Sequence, residues 1–271
     1  MPAKYTEVNG CAIHYSYSGA TTLPDVIPDF SRGRKILLIH GAGSNAHTFH
    51  RQIPALGEHH SPIAPDLPGH GRTAGVEGLL SVRDYSEFVA SFMDALKIDS
   101  AVLLGHSMGG AIAMDMALRH AGRVEALILS STAAKFNVAA ERIEALRAVT
   151  MGRTPQAFNT DGYSPKTLQE SFDVVREGWM EQIKTDPRVR YTDMVAVAEV
   201  DLRDAITKIA KPTVVFAGAD DKGTTVADAE LIAGKISGAK LRVFADAGHF
   251  APRERPAEYN AAIEEFLAGL R

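Results

Sequence analysis

The stretch SAVLLGHSMGGAIAMDM, residues 100–116, changes its pattern at a serine flanked by glycines. Residues 100–104 predict a short apolar strand, and residues 110–116 predict the start of a helix. Between them lies the pattern G-x-S-x-G, whose glycines let strand and helix approach more closely than a Cβ would permit. A serine at such a turn is a candidate nucleophile, so Ser107 is the first candidate functional residue. The alternative is that Ser107 only caps the helix.

Further apolar segments on both sides of this stretch predict a mostly parallel sheet. Helical patterns occur between them, as at residues 81–96, and at the end of the chain, residues 256–270; such crossover helices cover both faces of a parallel sheet. Residues 5–19 instead predict an antiparallel hairpin, because Asn9-Gly10 suits a two-residue turn. The remaining predicted strands are residues 35–40, 61–66, 124–130, 212–218 and 239–245.

The strand–helix alternation stops after residue 131 and resumes at residue 212. The segment between has helical patterns, as at residues 139–149 and 167–183, and prolines that interrupt them. We therefore predict a small helical cap inserted into a single core. The predicted division is core residues 1–133 and 209–271, and cap residues 134–208.

A glycine-rich turn, Gly41–Ala46, follows the predicted strand at residues 35–40 and allows two interpretations. It fits the loose dinucleotide pattern G-x-G-x-x-A, with Asp66 downstream as a candidate ribose contact. It could equally hold the negative oxygen of a reacting ester. Both interpretations bring backbone N–H groups and a helix N-terminus to an anion, so this turn alone leaves the choice open.

A nucleophilic serine needs a base and a group that orients the base, and the last third of the chain offers both. His249 follows the predicted strand at residues 239–245, and Asp220 and Asp221 follow the one at residues 212–218. The chain order Ser, Asp, His is that of the α/β-hydrolase fold. We expect only one of the two aspartates to reach His249, since neighbouring residues in an extended segment point to opposite sides.

Five motifs together resemble the α/β-hydrolase superfamily, specifically its cap-bearing serine esterases, lactonases and carbon–carbon bond hydrolases. They occur in the usual order and at familiar separations over nearly the whole chain. The motifs are HGAG (40–43), DLPGHGRT (66–73), GHSMGG (105–110), PTVVFAGADD (212–221) and GHFAPRERP (248–256). The resemblance implies an eight-stranded, mostly parallel sheet with helices on both faces and a helical cap after the sixth strand.

The resemblance also implies roles for individual residues. Ser107 would be the nucleophile and His249 the general base. The family pattern G-x-x-D falls on residues 218–221 and selects Asp221 to orient His249. The backbone N–H groups of Ala42 and Met108 would form the oxyanion hole.

These roles favour the oxyanion interpretation of the glycine turn over the dinucleotide one, with Asp66 structural. Trp179 in the cap and Phe250 beside His249 are predicted substrate contacts, although Trp179 could instead only attach the cap to the core. His40 and His106, which flank the active turns, are expected to be structural.

The expected function is hydrolysis of a carboxylic ester or related acyl compound through an acyl-enzyme. The alternative is an enol-lactonase or a C–C bond hydrolase of aromatic ring-cleavage products. His106 in GHSMGG slightly favours the esterase and lactonase form of the turn over GNSMGG. A ligand receptor that retains these residues is a third candidate, which turnover would exclude.

Composition limits the classes of partner. The chain has 271 residues and a formal net charge of -4, without a basic stripe for nucleic acid. The single cysteine, Cys11, excludes an intramolecular disulfide, and the histidines lack a familiar metal-ligand spacing, so we expect no metal or cofactor. A small-molecule substrate, no membrane association and a cytoplasmic location are expected; the oligomeric state stays open, a homo-oligomer included.

Overall fold

The computed structural model describes residues 1–75 and 77–270. Its sheet has eight strands in the order β1-β2-β4-β3-β5-β6-β7-β8; β2 is antiparallel to both of its neighbours, β1 and β4, and all other neighbouring strands are parallel. The strands are β1 Ala3–Val8, β2 Cys11–Tyr17, β3 Lys35–Ile39, β4 Ser61–Pro65, β5 Ala101–His106, β6 Val124–Ser130, β7 Thr213–Gly218 and β8 Lys240–Phe244. The predicted fold class is therefore confirmed.

Ten α-helices and three 3₁₀ helices occupy the described part of the chain. The α-helices are α1 Gln52–Leu56, α2 Val82–Ala95, α3 Met108–Arg119, α4 Ala140–Thr150, α5 Pro165–Glu170, α6 Phe172–Gln182, α7 Pro187–Glu199, α8 Val226–Lys235, α9 Ala251–Glu254 and α10 Pro256–Ala268. The 3₁₀ helices are Ala46–Phe49, Ala121–Arg123 and Ala205–Lys208. Within the two described ranges, no helix combines the length and apolar character needed to cross a membrane.

Side-chain alternation along the central strands creates two apolar cores, one on each face of the sheet. Leu37 of β3 belongs to the cluster that also contains residues of α2, α3 and α8. Its neighbour Leu38 belongs to the other cluster, with residues of α1 and α10. The sheet is thus covered on both faces, and the carboxyl ends of its parallel strands meet at one edge.

The helices α4–α7 form an insertion between β6 and β7. An isolated bridge between Lys135 and Asp201 joins its two ends. The pattern at residues 167–183 forms two helices rather than one, because Ser171, with φ -144°, leaves the helical conformation between α5 and α6. All four helices fall within residues 134–208, which we keep as the proposed extent of the cap.

Candidate active site

Ser107 lies on the tight turn between β5 and α3. Its φ of 56° falls in the left-handed region, which residues other than glycine adopt only where their surroundings enforce it. Ser107 N donates to the Ser130 carbonyl (2.9 Å), and Thr132 Oγ1 donates to the Ser107 carbonyl (2.7 Å). A Cβ on Gly105 or Gly109 would overlap neighbouring backbone atoms. Within the described residues the Ser107 side chain makes no capping hydrogen bond, so the geometry does not support a purely capping role.

Half-buried His249 and buried Asp221 form a hydrogen-bonded pair. Asp221 Oδ2 accepts from His249 Nδ1 at 2.8 Å and from Thr224 Oγ1 at 2.7 Å. Burial would raise the pKa of Asp221, but the charge and hydrogen bond of His249, together with the bonds from Thr224, lower this pKa to about 2. The ionised carboxylate only accepts, so the proton of neutral His249 lies on Nδ1 and leaves a lone pair on Nε2. Asp220 instead bonds through its backbone N–H to the Ala247 carbonyl.

A cavity of about 420 Å³ brings these groups together. Ser107, His249, Asp221 and Ala42 all line it. In the described parts of the chain, Ser107 Oγ and His249 share this cavity without a direct hydrogen bond. Met108 follows Ser107 as the first residue of α3, so its backbone N–H is one of the donors that a helix leaves free at its start.

The two predicted substrate contacts, Trp179 and Phe250, also line this cavity. The ring of Phe250 lies 5.3 Å from that of His249 and 4.7 Å from that of Tyr163. Trp179, on α6, packs edge-on against Phe158 at 5.3 Å. The insertion therefore supplies part of the cavity wall, including its tryptophan.

Three arginines line the same cavity, and the sequence analysis did not select them. Burial lowers the pKa of Arg190, and the positive charge of Arg142 lowers it further. Arg253 is 3% exposed, and within residues 1–75 and 77–270 its Nη1 atom has no hydrogen-bond partner. Guanidinium groups that are buried without full pairing are costly, and an anion in the cavity would compensate them.

Asp193, on α7 of the insertion, is a further residue that the sequence did not point to. Its Oδ2 accepts from Gly43 N (2.8 Å) and from His70 Nε2 (2.7 Å), while Oδ1 accepts from Tyr85 OH (2.6 Å). Burial would lower the pKa of His70, but the Asp193 charge and hydrogen bond raise it overall. The hydrogen bond from Gly43 N thus joins the glycine turn to the insertion through Asp193. The available signal was an acidic residue at the start of the apolar run DMVAVA, residues 193–198.

His40 and His106 are neutral and bond to the backbone near the site. Burial lowers their pKa values to about 4 and about 3, respectively. His106 Nε2 donates to the His249 carbonyl at 2.8 Å. The carboxylate of Asp66 also binds the backbone near the site, because its Oδ1 accepts from Ala46 N at 2.7 Å. This contact favours a structural role for Asp66 over a ribose contact.

Comparison with known proteins establishes the family. A model of the alpha/beta hydrolase fold matches residues 35–256. The chain belongs to this family. The resemblance drawn from the five sequence motifs is thereby confirmed.

Relatives of this alpha/beta hydrolase have several hydrolytic activities. It is 28% identical to 3-oxoadipate enol-lactonase 2 of Acinetobacter baylyi, over 86% of this chain and 88% of the relative. It is 27% identical to 2-hydroxy-6-oxo-2,4-heptadienoate hydrolase of Pseudomonas putida, over 89% of this chain and 91% of the relative. The crystal structure of the enol-lactonase from Burkholderia xenovorans matches with a TM-score of 0.84 and 26% identity, over 97% and 99% of the two chains. The protein is a hydrolase, and these relatives agree with both the ester-hydrolase prediction and its stated alternative.

Proposed function

We propose that this hydrolase cleaves a carboxylic ester, cyclic esters (lactones) included, through an acyl-enzyme on Ser107. The observation that carries the proposal is the Asp221–His249 hydrogen bond in the cavity that also contains Ser107. Asp221 fixes the tautomer that leaves His249 Nε2 free to accept a proton. The left-handed backbone conformation of Ser107 supports a functional role for its hydroxyl, because such strain is concentrated at functional sites.

The reaction follows from these positions. Ser107 Oγ attacks the ester carbonyl carbon while His249 Nε2 takes the hydroxyl proton. The Ala42 and Met108 N–H groups hold the oxygen that becomes negative. His249 then donates the proton to the leaving alkoxide, and the C–O bond to the alcohol breaks. Water, deprotonated by His249, releases the acid and restores Ser107.

The arginines of the cavity favour a substrate that carries a second, anionic group. Arg190 and Arg142 line the cavity, and Arg142 lowers the pKa of Arg190, so their positive charges lie close enough to interact. A carboxylate would pair with a guanidinium through two parallel hydrogen bonds. The names of the two curated relatives likewise describe carboxylates, an oxoadipate lactone and a heptadienoate. We therefore propose an ester or lactone of a dicarboxylic acid as the substrate class.

A panel of paired substrates tests this function. Each pair contains a neutral ester and an otherwise matched ester with a terminal carboxylate, and an enol-lactone completes the panel. We expect turnover with a preference for the anionic member, and Arg190→Gln should reduce that preference. A fluorophosphonate should label wild type and not Ser107→Ala. Equal labelling of both proteins would refute the role of Ser107.

Cleavage of a carbon–carbon bond is the second candidate, favoured by the similarity to the heptadienoate hydrolase. A vinylogous 1,5-diketone added to the same panel separates the two. Exclusive turnover of the diketone would reverse the ranking. No turnover of any member would instead favour a ligand receptor.

A further inference from the structure

A second cluster of polar side chains lies where the insertion meets the core. His47 belongs to the 3₁₀ helix Ala46–Phe49, and His50 directly follows that helix. Side chains three residues apart eclipse each other in a 3₁₀ helix. The two imidazoles accordingly stack, with ring centres 4.4 Å apart and planes 2° from parallel. Glu177 reaches them from α6, and its Oε1 lies 2.9 Å from His47 Nε2 and 3.1 Å from His50 Nε2.

The hydrogen bonds of His50 determine where its proton lies. His50 Nδ1 donates to the His47 carbonyl at 2.9 Å, since a carbonyl only accepts. His50 Nε2 accepts from Arg51 Nε at 3.1 Å. Because the one lone pair of Nε2 accepts from Arg51, the Glu177 oxygen 3.1 Å from Nε2 has no proton to accept from that atom, and a cation between the two would make their contact favourable.

We propose that His47, His50 and Glu177 bind a divalent transition metal ion, Zn²⁺ in the first instance. The three ligand atoms lie within 4.8 Å of one another. Tetrahedral zinc with bonds of about 2.0–2.1 Å requires ligand atoms roughly 3.3 Å apart, close to the two N–O distances given above. Two imidazoles and one carboxylate are an established zinc-ligand set. All three side chains are partly exposed, so water can complete the coordination.

Arg51 is the main competitor of the metal ion. Its Nε–H occupies the His50 lone pair, and its Nη2 lies 3.5 Å from Glu177 Oε2. The Arg51 side chain is 38% exposed and can turn into solvent when zinc binds. Removing this guanidinium should therefore strengthen zinc binding, whereas removing a ligand should weaken it.

The bound ion would fasten the insertion to the core. His47 and His50 come from the segment after β3, and Glu177 comes from α6. None of the three lines the cavity that contains Ser107, so the metal site is separate from the proposed ester chemistry. No metal was expected from the sequence because the histidines lack a familiar metal-ligand spacing; packing of the insertion brings Glu177 to His47 and His50.

Zinc affinity, measured on tag-free protein by competition with a chromophoric chelator, tests the proposal. We expect one zinc ion per wild-type chain and an affinity roughly a hundredfold lower in His47→Ala and in Glu177→Gln, because each variant loses a ligand. Arg51→Ala should bind zinc at least as tightly as wild type. The control His59→Ala removes an exposed histidine outside the cluster and should leave the affinity unchanged.

Thermal unfolding gives a second readout that separates ligand loss from misfolding. With zinc at about a hundred times its dissociation constant, the Tm of wild type should rise by roughly 5 °C or more. The Tm of Glu177→Gln should not respond, while its zinc-free Tm and ester turnover show that it is folded. Wild-type binding no tighter than that of His47→Ala, or unchanged affinity in Glu177→Gln, would overturn the proposal.

Discussion

The parallel core and the helical insertion contribute differently to the same cavity. In the core, β5 is buried along its whole length and ends at the turn that carries Ser107. In the insertion, α4 has no buried residue, and α7 reaches the core through polar groups such as Asp193. The core thus fixes the candidate reacting groups, while the insertion supplies charged and aromatic groups around the substrate. Changes in the two regions should therefore have different effects.

The largest expected effect is a loss of catalytic rate, without loss of the folded structure, when the Asp221–His249 pair is broken. Asp221→Asn removes the acceptor that fixes the His249 tautomer. We expect kcat to fall by about 10³–10⁴-fold, as for the equivalent change in serine proteases. Asp220→Asn is the matched control and should stay near wild type, because Asp220 contacts the loop through its backbone N–H. Steady-state kinetics measures kcat of both variants, and circular dichroism checks that both are folded. A large loss of kcat in Asp220→Asn but not in Asp221→Asn would assign the orientation of His249 to Asp220.

The sequence predicts the core far better than the insertion, for a physical reason. Apolar strands and the glycine-flanked Ser107 leave local patterns that identify them. The contact of Asp193 with Gly43 depends on where α7 packs, and no local pattern specifies that position. Ser171 shows the same limit, since it divides a stretch whose periodicity alone predicts one helix.

A change at the junction of the two regions should affect stability more than chemistry. Asp193→Ala removes the buried partner of His70 and the acceptor of Gly43 N. Breaking one member of a buried pair typically costs about 3–5 kcal/mol, and we expect this loss in the free energy of unfolding in urea.

Asp186→Ala on the same helix is the control for that change. Asp186 is the N-cap residue of α7, where its side chain accepts from Arg188 N, and its removal should cost about 1 kcal/mol. Equal losses in the two variants would show that Asp193 adds nothing beyond helix stability.

The neutral buried histidines of the core predict how stability depends on pH. His40 has a folded-state pKa of about 4, below its ordinary value of 6.5. Between these values the unfolded chain binds more protons at His40 than the folded one. Neutral His40 therefore makes its full contribution to the free energy of unfolding above pH 6.5. This contribution, about 3 kcal/mol, is lost as the pH falls towards 4.

Urea unfolding at pH 7 and pH 4.5 measures this effect as a difference between proteins. His40→Asn should lose less stability than wild type over this interval, whereas His59→Asn, at an exposed position, should match wild type. Parallel behaviour of His40→Asn and wild type would contradict the assigned neutral state of His40.

The smallest expected effect concerns the wall that the insertion contributes. Trp179→Ala should raise KM for large acyl substrates several-fold and leave kcat on a small activated ester nearly unchanged, because Trp179 lines the cavity without joining the proposed reacting groups. Trp179→Phe, which keeps an aromatic ring, should have a KM for large substrates between those of wild type and Trp179→Ala. Equal loss of kcat on small and large substrates would mean that the insertion helps to build the reacting centre itself.

The most direct test of the account is detection of the acyl group on Ser107 during turnover. A reaction with the best ester of the panel is stopped with acid within milliseconds, digested and analysed by mass spectrometry. We expect the peptide containing Ser107 to gain the mass of the acyl group, and the adduct to disappear once substrate is exhausted. Undiminished turnover by Ser107→Ala, or an adduct on any other residue of the wild-type protein, would contradict this expectation.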